Sequence, residues 1–226
     1  MALFRHSRKS ASTPFRNGVI TTGCLAIWGS LVVVSFPRWE RFCLTWGATS
    51  EEAADYLLGD ELLENPDIVT TRAISIAAPT QAVWPWLAQM GSGRGGVYTY
   101  DWIENLFGLD MHSVDVVLPQ FQDIKIGDAQ RLGKNGPKLR VAAANLQSAL
   151  VLRSDDGNWV WGFTLLAEDS GTRLISRNRI AAPGSSCLSR AFYRYVMVPG
   201  SLVMERKMLL GIRQRAEGLA LDSDRS

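Results

Sequence analysis

The sequence is short of the residues that bind metals and carry much of the acid–base chemistry at neutral pH. It contains two histidines and three cysteines, Cys24, Cys43 and Cys187, and no C-x-x-C pair. The clustered thiolates and imidazoles of a zinc site are therefore missing, and we expect no metal and no cofactor. Cys43 and Cys187 would pair if the domain were exported, but a buried free thiol is the alternative that the sequence favours.

The chain also lacks an excess of charge. Its 24 Lys and Arg residues nearly balance 22 Asp and Glu residues, for a net charge of +2. Nucleic-acid binding depends on a basic surface, so we expect no nucleic-acid partner. The patterns G-x-S-x-G, G-x-x-x-x-G-K-[ST] and H-E-x-x-H are absent, which removes the local signs of a serine hydrolase, a P-loop enzyme or a zinc protease. Enzyme status stays open, with the balance against catalysis.

One long apolar run is present near the N-terminus. Residues 19–36 carry no charge, and eighteen helical residues span about 27 Å, close to the hydrocarbon core of a bilayer. We predict a transmembrane helix over 18–37 after a basic cytoplasmic tail over 1–17. Four basic residues precede the run and two follow it closely, which places the main domain on the outer face. A signal peptide and a buried core helix are the alternatives.

The rest of the chain divides by composition. Residues 38–67 are rich in acids and predict a solvated arm lying across the domain, with Thr49 or Ser50 capping a short helix. A domain over 68–220 follows, and residues 221–226 predict a disordered tail.

Alternating β-branched and aromatic residues predict an antiparallel meander with turns at "DDGN" and "DSG". Arg177 and Arg179 share one face of a strand, and we expect that face to meet solvent. Trp159, Trp161 and Phe163 share a face of another strand. The predicted strands are Val69–Ala77, Asp115–Leu118, Asp128–Leu132, Leu139–Asn145, Ala149–Arg153, Asn158–Glu168 and Thr172–Ile180.

Three helices are predicted beside these strands. The first is opened by Pro79 and ended by Gly91. The second covers Trp102–Phe107, with Asp101 as N-cap and Glu104 completing a capping box. The third is a long amphipathic C-terminal helix, beginning near Ser189 and broken at Pro199. Its apolar stripe comprises Leu202, Leu209, Ile212, Ala216 and Leu219.

This order of elements resembles the α+β helix-grip fold of the START-like, or SRPBCC, superfamily, which includes polyketide cyclase/dehydratase-like and lipid-transfer proteins. The stretches "WGATSEEA" (46–53), "APTQAVWPWLAQMGSGRGGVYTYDWIENLFGLDMH" (78–112) and "MERKMLLGIRQRAE" (204–217) look like bacterial members of unassigned function. The resemblance implies a curved antiparallel sheet wrapped around the C-terminal helix, with a cavity between them.

The second of these stretches contains a G-x-G-x-x-G pattern at Gly91, Gly93 and Gly96. A dinucleotide-binding loop would need a strand before these glycines and a helix directly after them. Here a predicted helix precedes them and "VYTY" follows. We therefore interpret the glycines as a sharp turn between two helices.

The helix-grip resemblance places aromatic and apolar residues around the cavity, and one cation at its mouth. Arg94 would contact a carboxylate or phosphate headgroup, or pair with Asp101. The expected ligand-binding residues are Trp84, Trp86, Arg94, Tyr98, Tyr100, Trp102, Trp159, Trp161, Phe163 and Met208.

Asp101, Glu104 and His112 are the weak catalytic candidates. A carboxylate and an imidazole in the cavity would supply a general base and a general acid. The simpler interpretation is that Asp101 and Glu104 cap a helix and that His112 lies in a loop.

Three functions remain open at this stage. The favoured one is a membrane-anchored START-like domain that binds a hydrophobic small molecule, either a lipid or a polyketide-like compound. The alternatives are a cyclase or dehydratase acting on a polyketide-like substrate and a non-catalytic protein-interaction module with a solid core. The sequence sets no oligomeric state.

Overall fold

A computed structural model describes residues 37–106, 108–133, 136–181 and 186–223. Internal contacts divide the chain into one unit over 1–39 and another over 40–226. The sheet, the helices that pack on it and the cavity all belong to the second unit. The predicted transmembrane helix over 18–37 lies almost entirely outside the described residues. Among the helices of the described part of the chain, none is long and apolar enough to cross a bilayer.

Six antiparallel strands form one sheet in the order β1-β6-β5-β4-β3-β2. The last five make a meander, and β1 joins its far edge by pairing with β6. A register shift between Val141 and Ala143 interrupts the β3–β4 pairing, and such bulges bend a strand. The strands are β1 (Ile68–Ile76), β2 (Ala129–Arg131), β3 (Lys138–Asn145), β4 (Ala149–Ser154), β5 (Trp159–Glu168) and β6 (Gly171–Ile180).

A long C-terminal helix lies against the inner face of this sheet. With the antiparallel meander, it gives the helix-grip α+β arrangement that the resemblance implied. The helices are α1 (37–45), α2 (Ser50–Ala54), α3 (Thr80–Ala88), α4 (Asp101–Leu106), α5 (Cys187–Phe192) and α6 (Val198–Ser223).

The edge of the sheet at β1 is covered by the segment that contains "WGATSEEA". The backbone N–H of Ala73 donates to the carbonyl of Trp46 at 3.1 Å. Gly47 has φ +74°, and a Cβ there would lie 2.1 Å from the carbonyl oxygen of Ala73. Thr49 then caps α2 in a capping box with Glu52, as predicted. Glycine and cap together fold this segment onto the strand edge, which is otherwise open to pairing.

The acidic arm lies on the outer face of the sheet, where it pairs with arginines of β6. Arg177 is buried and donates from Nη1 to Asp60 Oδ2 at 2.7 Å. Arg173 pairs with Glu52 at 2.7 Å. The expected solvent exposure of Arg177 is therefore wrong, because the arm covers this face and neutralises the guanidinium groups.

Six strands are predicted between the second helix and the C-terminal helix. Five of them are present, and the first, Asp115–Leu118, is absent. Residues 115–118 form no strand because the buried side chain of Gln89 binds their backbone. Gln89 Nε2 donates to the carbonyl of Val116 at 3.1 Å, and Leu118 N–H donates to Gln89 Oε1 at 2.9 Å. The segment is therefore held as an extended loop beneath α3.

The helix predicted to break at Pro199 continues through it. Residues Tyr193–Met197 form a π-helical turn between α5 and α6. Proline lacks the N–H for a bond to the residue four positions earlier, and its ring clashes with that carbonyl. A wider turn just before Pro199 accommodates both effects, and such turns are frequent at functional sites.

Candidate functional site

A cavity of about 670 Å³ lies between the inner face of the sheet and the N-terminal half of α6. Its walls are predominantly apolar. The volume falls within the roughly 300–1,000 Å³ typical of small-molecule sites. The sheet contributes Ile68, Thr70, Trp159, Trp161, Asn178 and Ile180, and α6 contributes Val198, Ser201, Met204, Glu205 and Met208.

The hollow occupies one half of the concave surface because the other half is filled. Trp84 and Leu87 of α3 pack with Phe163 of β5 in the main hydrophobic core. Ile212 and Ala216, in the C-terminal half of α6, are completely buried in the same core. Phe163 is therefore a packing residue, whereas Trp161, two positions earlier on the same face, reaches the cavity wall.

Trp159 and Trp161 form the tryptophan wall of the cavity. Their rings stack 5.7 Å apart. Trp159 Nε1 donates to Asn178 Oδ1 at 2.8 Å, and Trp161 Nε1 donates to Ser176 Oγ at 2.9 Å. Because both indole N–H groups already have partners on β6, the rings offer the cavity mainly apolar surface.

A buried ion pair underlies this wall. Arg72 of β1 is fully buried and pairs with Glu205 of α6. Ser176 donates to Glu205 Oε1 at 2.6 Å, and Asn178 Nδ2 lies 3.2 Å from Oε2. Burial raises the pKa of the Glu205 carboxyl, and the charge of Arg72 opposes that rise. The pair fixes α6 to the sheet at the level of the cavity.

Glu104 of α4 is a second polar residue on the cavity wall. It is 7% exposed, and its Oε2 has no hydrogen-bond partner. Burial raises the pKa of this carboxyl, the adjacent side chain of Thr99 opposes the rise, and the nearby charge of Asp101 adds to it. Thr99 also lines the cavity, and its buried hydroxyl lies beside Glu104 without a hydrogen bond of normal geometry.

Exposed lining residues mark the mouth. Asp155 and Asp156, in the turn between β4 and β5, line one side. Met197, at the end of the π-helical turn, lines the other side and is 46% exposed. The turn next to Pro199 is therefore part of the rim.

Of the residues expected to bind ligand, Trp159, Trp161 and Met208 line the cavity. Trp84, Trp86 and Phe163 are buried in the core and do not line it. Trp102 is 69% exposed and also lies away from the cavity.

Tyr98 and Tyr100 are likewise absent from the wall. Tyr98 is buried, and its hydroxyl donates to the carbonyl of Trp86 at 3.0 Å. The guanidinium of Arg215 lies 4.7 Å from the Tyr98 ring centre. Burial raises the pKa of the Tyr98 phenol. These contacts give Tyr98 a structural role.

Arg94 also lies away from the cavity wall. Its Nη2 donates to the carbonyl of Ala88 at 3.0 Å, and its guanidinium lies 4.3 Å from the centre of the Phe121 ring. Arg94 thus holds the loop after α3 against the segment near Phe121, with no contact to Asp101.

The three weak catalytic candidates do not come together. Asp101 accepts hydrogen bonds from Ser113 N–H and Ser113 Oγ, both at 2.7 Å. The predicted capping box is therefore wrong, because this carboxylate binds the neighbouring loop. His112 is exposed beside Asp110. Glu104 alone of the three lines the cavity.

The sequence interpretation missed Arg72 and Glu205, although a signal for each existed. Arg72 alternates with Ile74 and Ile76 on the inner face of β1. Glu205 lies three residues after Leu202, within the apolar stripe of α6. A charge on each of two apolar faces indicates a buried pair.

The glycine-rich loop approaches its neighbour too closely for side chains. Gly91 and Gly96 form a short bridge, and a Cβ on Gly96 would lie 2.6 Å from Ser113 Cα. A helix precedes the loop, and no strand–loop–helix unit is formed. The glycines therefore allow a tight turn, and they do not form a dinucleotide-binding loop.

Comparisons with known proteins found no matching family model and no matching curated protein. Among solved structures, the chain is similar to the KanY protein, with 15% identity, a TM-score of 0.46, and coverage of 67% of this chain and 98% of that one. An AHSA1-like protein from Aeromonas hydrophila has 15% identity, a TM-score of 0.38, and coverage of 67% and 95%. A "Polyketide_cyc-like" protein from Corynebacterium glutamicum has 15% identity, a TM-score of 0.33, and coverage of 69% and 91%.

Proposed function

We propose that this chain is a START-like domain that binds one hydrophobic small molecule, a lipid or a polyketide-like compound, between its sheet and α6. The observation that carries the proposal is the apolar cavity of about 670 Å³ beneath Trp159 and Trp161. Apolar voids of this size are rare in close-packed interiors, where gaps larger than a water molecule are few. A guest that fills the hollow recovers the lost contacts.

We further propose that the apolar segment over 18–37 anchors the domain in a membrane, with the domain on the outer face. Exposed apolar side chains near the mouth support this part of the proposal. Leu188, Phe192 and Val196 precede α6 and are each more than half exposed. Leu106, which closes α4, is 77% exposed. Such a rim suits exchange of an apolar ligand with a bilayer.

A cyclase or dehydratase is the second candidate, and Glu104 is the observation that favours it. A carboxyl with a raised pKa on a cavity wall is suited to general acid catalysis. Against it, Asp101 and His112 face away, and Glu205 is already engaged by Arg72 and Ser176. Among the described residues, the other lining carboxylates, Asp155 and Asp156, lie at the mouth, and we favour binding over catalysis.

The protein-interaction module is the least supported function. It required a solid core and an acidic arm free for a partner. The core contains a cavity, and Glu52 and Asp60 of the arm are engaged by arginines of β6.

A pair of substitutions on α6 tests ligand binding. Met204 lines the cavity, whereas its neighbour Val203 is 53% exposed on the outer side of the helix. Met204→Trp narrows the hollow, and Val203→Trp adds the same bulk in solvent. The full chain in lipid nanodiscs is incubated with an apolar fluorescent probe. We expect saturable binding that Met204→Trp weakens and Val203→Trp leaves unchanged. Equal binding by both variants would place the probe elsewhere.

A further inference from the structure

The charges along the cavity wall are unevenly placed. Of the charged residues that line it, Glu104 and Glu205 are buried, whereas Lys138, Asp155 and Asp156 lie towards the mouth. The interior wall therefore carries two carboxyl groups and, within the described residues, no basic side chain.

The nearest interior cation is already fully engaged. Arg72 lies behind the wall, and its donors go to Glu205, to the carbonyl of Cys43 at 2.8 Å and to Ser201 Oγ at 2.9 Å. Arg72 is not among the lining residues, so its guanidinium does not face the cavity. Among the described residues of the interior wall, an anionic headgroup would find two carboxyl groups and no free partner of opposite charge.

The part of the wall formed by Glu104 and Thr99 has unused hydrogen-bonding capacity. Glu104 Oε2 and Thr99 Oγ1 are buried beside each other, neither makes a hydrogen bond of normal geometry, and both residues line the wall. A buried polar group left unpaired destabilises the folded protein. In native proteins such exceptions call for a specific explanation. A polar group on the bound guest would satisfy both.

We infer that the cavity selects an uncharged amphiphile whose hydroxyl or carbonyl oxygen binds Glu104 and Thr99, and that it rejects carboxylate and phosphate lipids of the same apolar length. This inference rests on the proposed function and names the ligand class for that site. A hydroxyl donates one hydrogen bond and accepts another, which matches a carboxyl group beside a threonine. A carboxylate would lose its hydration in a region of low dielectric without gaining a free cation as partner.

The environment of Glu104 adds support. Burial raises the pKa of its carboxyl, the Thr99 side chain opposes the rise, and the charge of Asp101 adds to it. The protonated form both donates and accepts hydrogen bonds, whereas the ionised form accepts only. At Glu104 the wall therefore offers an acceptor at every pH and, below the folded pKa of this carboxyl, a donor as well.

Three probes with one alkyl chain separate charge from apolar length: hexadecanol, methyl hexadecanoate and hexadecanoic acid. Each compound is titrated as a competitor against the fluorescent probe bound to the full chain in nanodiscs, with empty nanodiscs as the blank. We expect the alcohol and the ester to bind at least about tenfold more tightly than the acid, the equivalent of roughly 1.4 kcal/mol.

Two substitutions then test the role of Glu104. Glu104→Leu removes the hydrogen bond, and we expect hexadecanol to bind about tenfold more weakly while the acid gains. Glu104→Gln keeps a donor and an acceptor, so it should restore most of the preference for the alcohol. Glu168→Leu removes an exposed carboxylate that does not line the cavity and serves as the matched control.

The outcomes distinguish this inference from the proposed function. If the acid binds as tightly as the alcohol, the inference is overturned and the binding function stands. If none of the three displaces the probe, both are overturned. An unchanged preference in Glu104→Leu would overturn the assignment of the polar group to Glu104.

Discussion

Arg72 and Glu205 are 133 residues apart in the sequence and form a buried ion pair at the cavity wall. One comes from the first strand and the other from the last helix, so the pair joins the two ends of the domain. Ser176 and Asn178 of β6 bind the same carboxylate. The sheet and α6 are thereby fixed to each other at the height of the hollow.

The ion pair predicts strong coupling between its members. Arg72→Met leaves a buried carboxylate unpaired and should lower the free energy of unfolding by about 3–5 kcal/mol. Adding Glu205→Leu should recover most of that loss, because no unpaired charge remains. Urea unfolding followed by tryptophan fluorescence measures the cycle. The half-exposed pair Arg140–Asp155 is the control, with a coupling below about 1 kcal/mol expected. Similar coupling energies for the two pairs would contradict this assignment.

Glu104 predicts a pH-dependent destabilisation of the empty domain. Its carboxyl pKa is raised on folding from the usual 4.5, so the folded state binds the proton more tightly than the unfolded state. Stability from this group is therefore complete below pH 4.5 and is lost as the pH rises through the folded pKa. Glutamine does not titrate, so the free energy of unfolding of Glu104→Gln should increase relative to that of the wild type as the pH rises above 4.5. A difference that shrinks as the pH rises would show the opposite sign.

Glu104→Leu should make the empty protein more stable by about 1–3 kcal/mol, since an unpaired buried polar group is removed. Thermal unfolding without ligand measures the gain. A loss of stability would show that Glu104 has a structural partner.

The arm depends on Asp60 for its attachment to the sheet. Asp60→Ala leaves Arg177 buried without its carboxylate and should cost about 3 kcal/mol. Hydrogen exchange should rise over 50–64 while β5 stays protected. Glu64→Ala removes an exposed acid from the same arm and should change neither. Equal exchange in both variants would mean that the arm is held by its backbone contacts.

Two glycines should respond in opposite directions to alanine. Gly47→Ala brings a Cβ within 2.1 Å of the Ala73 carbonyl at φ +74° and should destabilise the domain by more than about 1 kcal/mol. Gly218 lies inside α6 with open space around it, so Gly218→Ala should stabilise it by about 0.5–1 kcal/mol. Midpoints of chemical unfolding measure both.

Much of the fold follows from local pattern. Alternation placed Trp159, Trp161 and Phe163 on one inner face, and helical spacing marked the buried stripe of α6. These signals are short-range, because period and turn chemistry are set within a few residues. These signals did not predict that the outer face is covered. Arg177 has the pattern of a solvent-exposed residue, and only the fold brings Asp60 to it.

The local sequence pattern could not predict how far the cavity extends along the sheet. Trp161 lines the hollow and Phe163 does not, because α3 and the C-terminal half of α6 fill one end of the sheet. That difference arises from packing between distant elements. Asp101 likewise looked like a helix cap, but Ser113, twelve residues later, takes its carboxylate.

Crystals of the chain grown with a long-chain alcohol carrying a terminal bromine test the central claim most directly. Anomalous scattering locates the bromine independently of how the chain is traced. The account predicts one peak inside the hollow, bounded by Trp161 and Met208, with the hydroxyl at Glu104. Crystals in which α6 closes onto the tryptophan wall, with no bromine between them, would contradict it.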